Sequence, residues 1–371
     1  MDVLVLIPVL SLVLLSSLRF EKAERRGFVC LWAVIGVILA SLLVRVALPD
    51  EVLFASSEVA RRVRAQIADL RKTTDWQKKD IVVIEGSSVT AFGCDNQAVE
   101  ARLIEAGWNA KVLQFSAQGA NHFERTFFLE AFLRGLEDSE REALAQCNVL
   151  LLREVFDAYD KEPLFLFAKE SYAERAKVYM SPPYAWAAWN AFQASLPNDL
   201  PFAGRINRSL ETLNALMEKT LMNLFGVGSF ADMNRKSIKK KTGSFFALDG
   251  SKTGFDYKAT VRNLNDIDGI VSVPAGWKTA SLFQKARTDP YFDQTGFFSI
   301  PLLESHRRKY QTGFTEALPE EILRIGPLST TQLEPFLRKE NWFDGAHLTG
   351  IGAAYFSRWF ADQLVEWRRN H

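Results

Sequence analysis

Two long apolar runs open the chain, and short β-branched runs alternating with segments of helical period fill the part that follows. Residues 3–18 carry no charge, and residues 28–48 are interrupted only by Arg45. Their lengths suit membrane helices, the first marginally and the second comfortably. Between them Arg19, Lys22, Arg25 and Arg26, with Glu21 and Glu24, form a short basic connection of the kind retained in the cytoplasm. The pattern predicts a transmembrane hairpin over 1–48 with the rest of the chain outside the cytoplasm. A cleaved signal peptide is the first rival, but the run lacks a basic start and a small-residue cleavage site, and a second long run follows. An inverted topology rests on Arg61, Arg62 and Arg64, which stand farther from the membrane and share their segment with Asp50, Glu51 and Glu58.

Beyond the hairpin, Val52, Val59, Val63, Ile67 and Leu70 recur at helical spacing, so 49–79 is expected to be an amphipathic helix packed on the domain and a linker from 73. Residues 81–84 read as a buried strand that Gly86 ends in a sharp turn. A helix over 96–106, with Val99, Leu103 and Ile104 inward, stops at Gly107. Strands at 111–115 and 148–152 flank a further helix at 123–136. This alternation predicts a parallel sheet covered by helices and joined by right-handed crossovers.

From 160 to about 325 the pattern turns irregular, as in an insertion within a domain of 80–371, with late strands at 297–303 and 322–325. The segment holds an aromatic cluster, Tyr179, Tyr184, Trp186, Trp189 and Phe192, suited to sugar, a membrane interface, a protein partner or simply a subdomain core. It also holds a basic run, Arg235, Lys236, Lys239, Lys240 and Lys241, suited to an acidic surface or to a solvated loop. Residues 351–367 predict a closing amphipathic helix.

Of the 371 residues, 48% are hydrophobic and 24% charged, with a formal net charge of +1. Neither a disordered chain nor a nucleic-acid binder is indicated. Cys30 lies in the second apolar run, while Cys94 and Cys147 fall toward opposite sheet edges, so free thiols are expected rather than a disulfide framework.

Two stretches carry candidate chemistry. The first, DIVVIEGSSVTAFGCD at 80–95, sets Ser87 and Ser88 just past a strand, at the carboxyl edge where open α/β sheets place ligands. Serine and glycine are also ordinary turn residues. The second, NWFDGAHLTG at 341–350, brings Asp344 within three residues of His347. One short loop then lets the carboxylate orient the imidazole, as activation of a serine hydroxyl requires. The chain has four histidines, and His122 beside the Gly119 turn is the competitor for the role of base. A surface histidine bonded to its neighbouring aspartate is the plainer alternative.

In order, these blocks resemble the SGNH (GDSL-like) hydrolase superfamily. Gly86-Ser87-Ser88 looks like its first block, Gly119 in FSAQGAN like the second, and Asp344 and His347 like the last. The resemblance implies a three-layer flavodoxin-like fold with Ser88 as nucleophile, His347 as base and Asp344 as its orienter. It also implies an oxyanion hole from the amides of Ser88 and Gly119. The third block departs from the family: Arg153-Glu154-Val155-Phe156-Asp157 stands where Gly-x-Asn-Asp is usual. Asn121 or Arg153 is then the expected third donor, with Ser87 and His122 as further auxiliaries. No metal and no organic cofactor are implied.

The Gly-Ser-Ser turn, the altered third block and the membrane anchor are together similar to membrane-anchored proteins of polymer acylation, such as alginate-type O-acetyltransferases and the D-alanyl transfer protein of teichoic acid synthesis. That similarity implies a bacterial inner-membrane protein with its domain in the periplasm, a polysaccharide acceptor, and a polytopic membrane-bound O-acyltransferase as partner. The function the resemblance implies is extracytoplasmic O-acyl transfer, with acetyl as the expected group, through a serine acyl-enzyme. Alternatives are an anchored esterase or deacetylase, and a non-catalytic scaffold that recruits the membrane partner.

Overall fold

The computed structural model describes residues 58–116, 125, 128–129, 132–133, 135–155, 201, 238–242, 245–262, 264, 294–316 and 318–370. Among them no helix is long and apolar enough to cross a membrane. The apolar runs at 3–18 and 28–48, the Gly119 turn and the aromatic cluster lie outside these residues.

The chain enters through α1 (Glu58–Lys72), then β1 (Asp80–Gly86), α2 (Ser88–Gly93), α3 (Asn96–Glu105), β2 (Ala110–Ser116), α4 (Asp138–Leu144) and β3 (Val149–Glu154). An antiparallel hairpin, β4 (Ile238–Thr242) and β5 (Phe245–Leu248), and helix α5 (Tyr257–Arg262) follow. The described chain closes with β6 (Gln294–Phe298), α6 (Ser305–Glu316), β7 (Leu323–Ile325), α7 (Thr330–Leu333) and α8 (Gly350–Asn370). One five-stranded sheet runs in the order β2-β1-β3-β6-β7, all parallel. With the hairpin set aside, that is the 2-1-3-4-5 order of doubly wound sheets, compatible with a flavodoxin-like fold.

Both faces of the sheet are covered, which is why its strands are apolar without alternation. Val82, Ile84, Val112, Leu150 and Leu152 pack with Val99 and Leu103 of α3 and with Phe356, Phe360 and Leu364 of α8. On the other face Ile81, Val83, Leu113, Phe115 and Leu151 meet Val63, Ile67 and Leu70 of α1, together with Phe128 and Phe132. Each such side chain contributes about 1.5–3 kcal/mol on burial, so the amphipathic stripe of α1 is part of the domain core.

Edge strand β2 does not present bare donors. Its Val112 N–H donates to Glu100 Oε2 at 2.9 Å and its Gln114 N–H to Gln66 Oε1 at 2.9 Å. Lys111, buried, pairs with Asp69 at 2.6 Å and Glu100 at 3.1 Å. These side chains from α1 and α3 block the edge against pairing with another chain. Cys94 and Cys147 are both buried, and among the described residues neither is in a disulfide.

Several expectations change. β6 and β7 belong to the central sheet, so the segment 160–325 is not wholly an insertion. The late strand expected at 297–303 is shorter and earlier: Ser299 N–H still donates at 2.9 Å to Ile325 O, the β7 partner of Phe298, but by Leu303 the backbone N–H has turned to Gly345 O at 2.8 Å. Ile104, expected inward, is exposed, because the buried face of α3 is set by Asn96, Val99 and Leu103. Lys239, Lys240 and Lys241 lie in β4 rather than in a loop.

Candidate active site

Strand β1 ends at Gly86, and the reason for glycine is close approach. A Cβ there would stand 2.1 Å from Thr90 Oγ1 and 2.6 Å from Glu154 Oε2. The next residue, Ser87, has extended backbone and caps α2, its Oγ accepting the Val89 N–H at 3.2 Å. Ser88 is therefore the first residue of α2, at the carboxyl edge of the sheet, and half-buried. Among the described residues no acceptor meets its backbone N–H.

The second half of the site is a tight loop between 341 and 349. Trp342 and Leu348 pair as an antiparallel bridge, Phe343 N–H donates to His347 O at 2.9 Å, and Thr349 N–H to Asn341 O at 2.9 Å. Buried Trp342, whose Nε1–H donates to Phe336 O at 2.7 Å, pins the loop to the core. Inside it Asp344 Oδ1 accepts the Ala346 and His347 amides, each at 2.9 Å. This is the local side-chain turn for which aspartate is suited.

The loop delivers His347 to Ser88. Nδ1 of the imidazole is 2.9 Å from Asp344 Oδ1, and Nε2 is 3.0 Å from Ser88 Oγ. An ionised carboxylate only accepts, so Nδ1 carries the proton and the neutral ring offers its Nε2 lone pair to the Ser88 hydroxyl. That is the tautomer a general base needs. Burial alone would raise the Asp344 carboxyl. The hydrogen bond and charge of His347, with the Ala346 and His347 amides, outweigh it and hold the group below its ordinary value.

Around the line stand groups that tune it. Phe92 of α2 packs edge-on against His347, in an apolar cluster with Phe246, Leu248 and Phe343. Hairpin strand β5 thus backs Phe92, through Phe246 at 6.0 Å between ring centroids. Glu304 sits against Gly345, where a Cβ would lie 3.1 Å from its Cγ, and pairs with Arg307 at 3.1 Å. Burial, reinforced by the Asp344 charge and opposed by His347, pushes the Glu304 carboxyl up.

The structure brings Ser88, Asp344 and His347 into one hydrogen-bonded line. Gly119, Asn121 and His122 lie outside the described residues. Ser87 is next to the line but turned from it, its hydroxyl donating to Glu154 Oε1 at 2.7 Å. Arg153 does not stand beside Ser88. It shares a sheet face with its cross-strand neighbour Glu85, opposite the face that carries α2, and its Nε is 3.3 Å from Glu85 Oε2. Glu85 is fully buried, and burial pushes its carboxyl up, opposed by Arg153 and Arg125 and reinforced by Glu154.

Glu154 and Phe92 are the residues the sequence did not single out. Glu154 closes β3 where an oxyanion donor was sought, and a search for donors passes over a carboxylate. Phe92 carries helical spacing from Ser88, i to i+4, which places both on one side of α2, but nothing local says that the space beside it holds an imidazole. Among the described residues no group of three or more His, Cys, Asp and Glu is placed to hold a metal ion. No family model matches the chain, and no curated protein matches it in sequence.

Proposed function

We propose that the chain is a membrane-anchored serine O-acyltransferase of SGNH type, acting on an extracytoplasmic polysaccharide, with acetyl as the transferred group. The observation that carries its chemistry is the line Asp344–His347–Ser88, with spacings of 2.9 and 3.0 Å. A scaffold without chemistry has no need of a serine held on an imidazole that is itself held on a carboxylate. The anchor, the polymer and a polytopic acyl-donating partner rest on the resemblance and the N-terminal apolar runs.

The reaction follows from the atoms in place. Ser88 Oγ attacks the acyl carbonyl carbon while its proton passes to His347 Nε2, and Asp344 stabilises the resulting imidazolium. The tetrahedral oxyanion faces the Ser88 amide, and the resemblance assigns the second donor to Gly119. Collapse expels the donor's leaving group, which takes the proton from Nε2, and leaves the acyl group on Ser88 Oγ. A sugar hydroxyl then gives its proton to Nε2, attacks the acyl-serine carbonyl and departs as the ester, and Ser88 recovers the proton.

Intact mass of the full-length protein after p-nitrophenyl acetate, compared with Ser88→Ala, tests this. A Ser88-dependent acetyl adduct that discharges faster to a sugar oligomer than to water is the expected result. Discharge to water alone would establish an esterase instead, and no adduct on Ser88 would overturn the acyl-enzyme.

A further inference from the structure

Two serines stand side by side at the end of β1, and only one of them meets His347. What separates them is a buried carboxylate from the neighbouring strand. Glu154 is 4% exposed. Its Oε2 accepts the Ser87 N–H at 2.7 Å and the Thr90 hydroxyl, and its Oε1 accepts the Ser87 hydroxyl at 2.7 Å. Arg125, also buried, places Nη2 3.7 Å from Oε1 and donates through Nη1 to the Glu154 carbonyl at 3.2 Å. Resting on the acyl-enzyme reading above, we propose that Glu154 is a positioning residue, whose carboxylate grips the Ser87-Ser88 turn so that Ser88 alone presents its hydroxyl to His347.

The hydrogen inventory of Ser87 makes the point. A hydroxyl has one proton and two lone pairs. The Ser87 proton goes to Glu154 and one lone pair takes the Val89 N–H. The group is thereby oriented away from the base, and the backbone that carries Ser88 is tied to β3 by the Ser87 N–H as well. Hydrogen bonds to a carboxylate are shorter and about twice as strong as neutral ones, so this grip is stiffer than an ordinary helix cap.

Three further positions are shaped to it. Gly86 leaves room for the carboxylate, since a Cβ would lie 2.6 Å from Oε2. Thr90 supplies a hydroxyl from the first turn of α2, and Arg125 supplies the opposite charge that a buried carboxylate requires. A carboxylate accepts and does not donate, so Glu154 holds the nucleophile's backbone rather than the oxyanion.

The test is the full-length protein carrying Glu154→Gln, acylated by p-nitrophenyl acetate at a series of concentrations. The amide keeps the shape but replaces one acceptor with a donor, releasing part of the grip on Ser87 and Thr90. A displacement of the nucleophile on the order of 1 Å costs about 10²-fold in rate. The limiting acylation rate is therefore expected to fall by about that factor, with the half-saturating concentration within about two-fold of wild type. A limiting rate within about three-fold of wild type, or a loss carried by half-saturation, overturns the proposal. Should Glu154→Gln fail to fold by thermal melting, Thr90→Val removes one of the bonds and is expected to lower the same limiting rate about tenfold, near the worth of one charge-assisted bond. An unchanged rate in that variant also overturns it. Wild type without an adduct on Ser88 overturns the acyl-enzyme and this inference together. Wild type with the adduct and an unimpaired Glu154→Gln overturns this inference alone.

Discussion

Phe92 stands edge-on to the imidazole of His347, ring centroids 5.3 Å apart and planes at 88°. Because Phe92 and Ser88 belong to one helix, the element that carries Ser88 also braces His347. Phe92→Ala is expected to cost about 3–5 kcal/mol of stability. Phe92→Leu keeps most of the apolar volume and should cost under about 1.5 kcal/mol while still slowing acylation, because the flat wall of the ring is gone. Urea unfolding and the acylation rate, measured on both variants, separate the two effects. An acylation rate in Phe92→Leu equal to that of wild type would show that the ring does not brace the base.

Asp344 fixes which nitrogen of His347 carries the proton. Asp344→Asn keeps the size and presents an amide in place of the acceptor, favouring the wrong tautomer. Loss of the acylation rate by about 10⁴-fold is expected, as for the corresponding change in other triads. A loss of less than about tenfold in p-nitrophenyl acetate acylation would mean that His347 is oriented by something else.

The same carboxylate makes stability depend on pH with a definite sign. Its folded value lies below the ordinary one, so folding favours the ionised form. The stabilisation is fully present above the ordinary aspartate value of about 3.9 and is lost as pH falls through the lower folded value. The stability difference between wild type and Asp344→Asn, from urea unfolding at several pH values, should be constant near neutrality and shrink below that value. A difference that stays constant to the acid end would rule out an ionic origin.

Gly352 of α8 faces the loop that holds Asp344 and His347, and a Cβ there would lie 2.3 Å from the Asn341 carbonyl oxygen. In an isolated helix alanine is better than glycine by about 1 kcal/mol. Here the backbone contact wins, and Gly352→Ala should destabilise by about 1–3 kcal/mol and displace the loop enough to slow acylation. A stabilised protein in thermal or urea unfolding would show that the loop yields freely.

Much of this was legible in the chain because it is local. The Asp344 turn needs only the amides of Ala346 and His347, and the strands at 80–86, 110–116 and 149–154 are marked by their own apolar runs. Misreadings arose where a neighbour decides. Residues 299–303 look like strand, yet the ladder with β7 goes no further than Ser299 and the Leu303 amide is taken by Gly345. Ile104 fits a helical stripe, but the face of α3 that is buried depends on where β2 and α8 lie. The donor sought at the end of β3 is a carboxylate bound to a turn in another strand's loop.

Sequence alone determined the α/β class and the strand-helix alternation as far as β3, and marked Ser88, Asp344 and His347 as candidates, since periodicity and a three-residue spacing act within a few residues of chain. Only the tertiary structure decided that Ser88 and His347, 259 residues apart, share a hydrogen bond. It also decided that Ser87, 67 residues from Glu154, is bound to that carboxylate. Which of two adjacent serines meets the base is a matter of what packs against each, and that is set by the pairing of β1 with β3 and by the seat of α8 on the sheet.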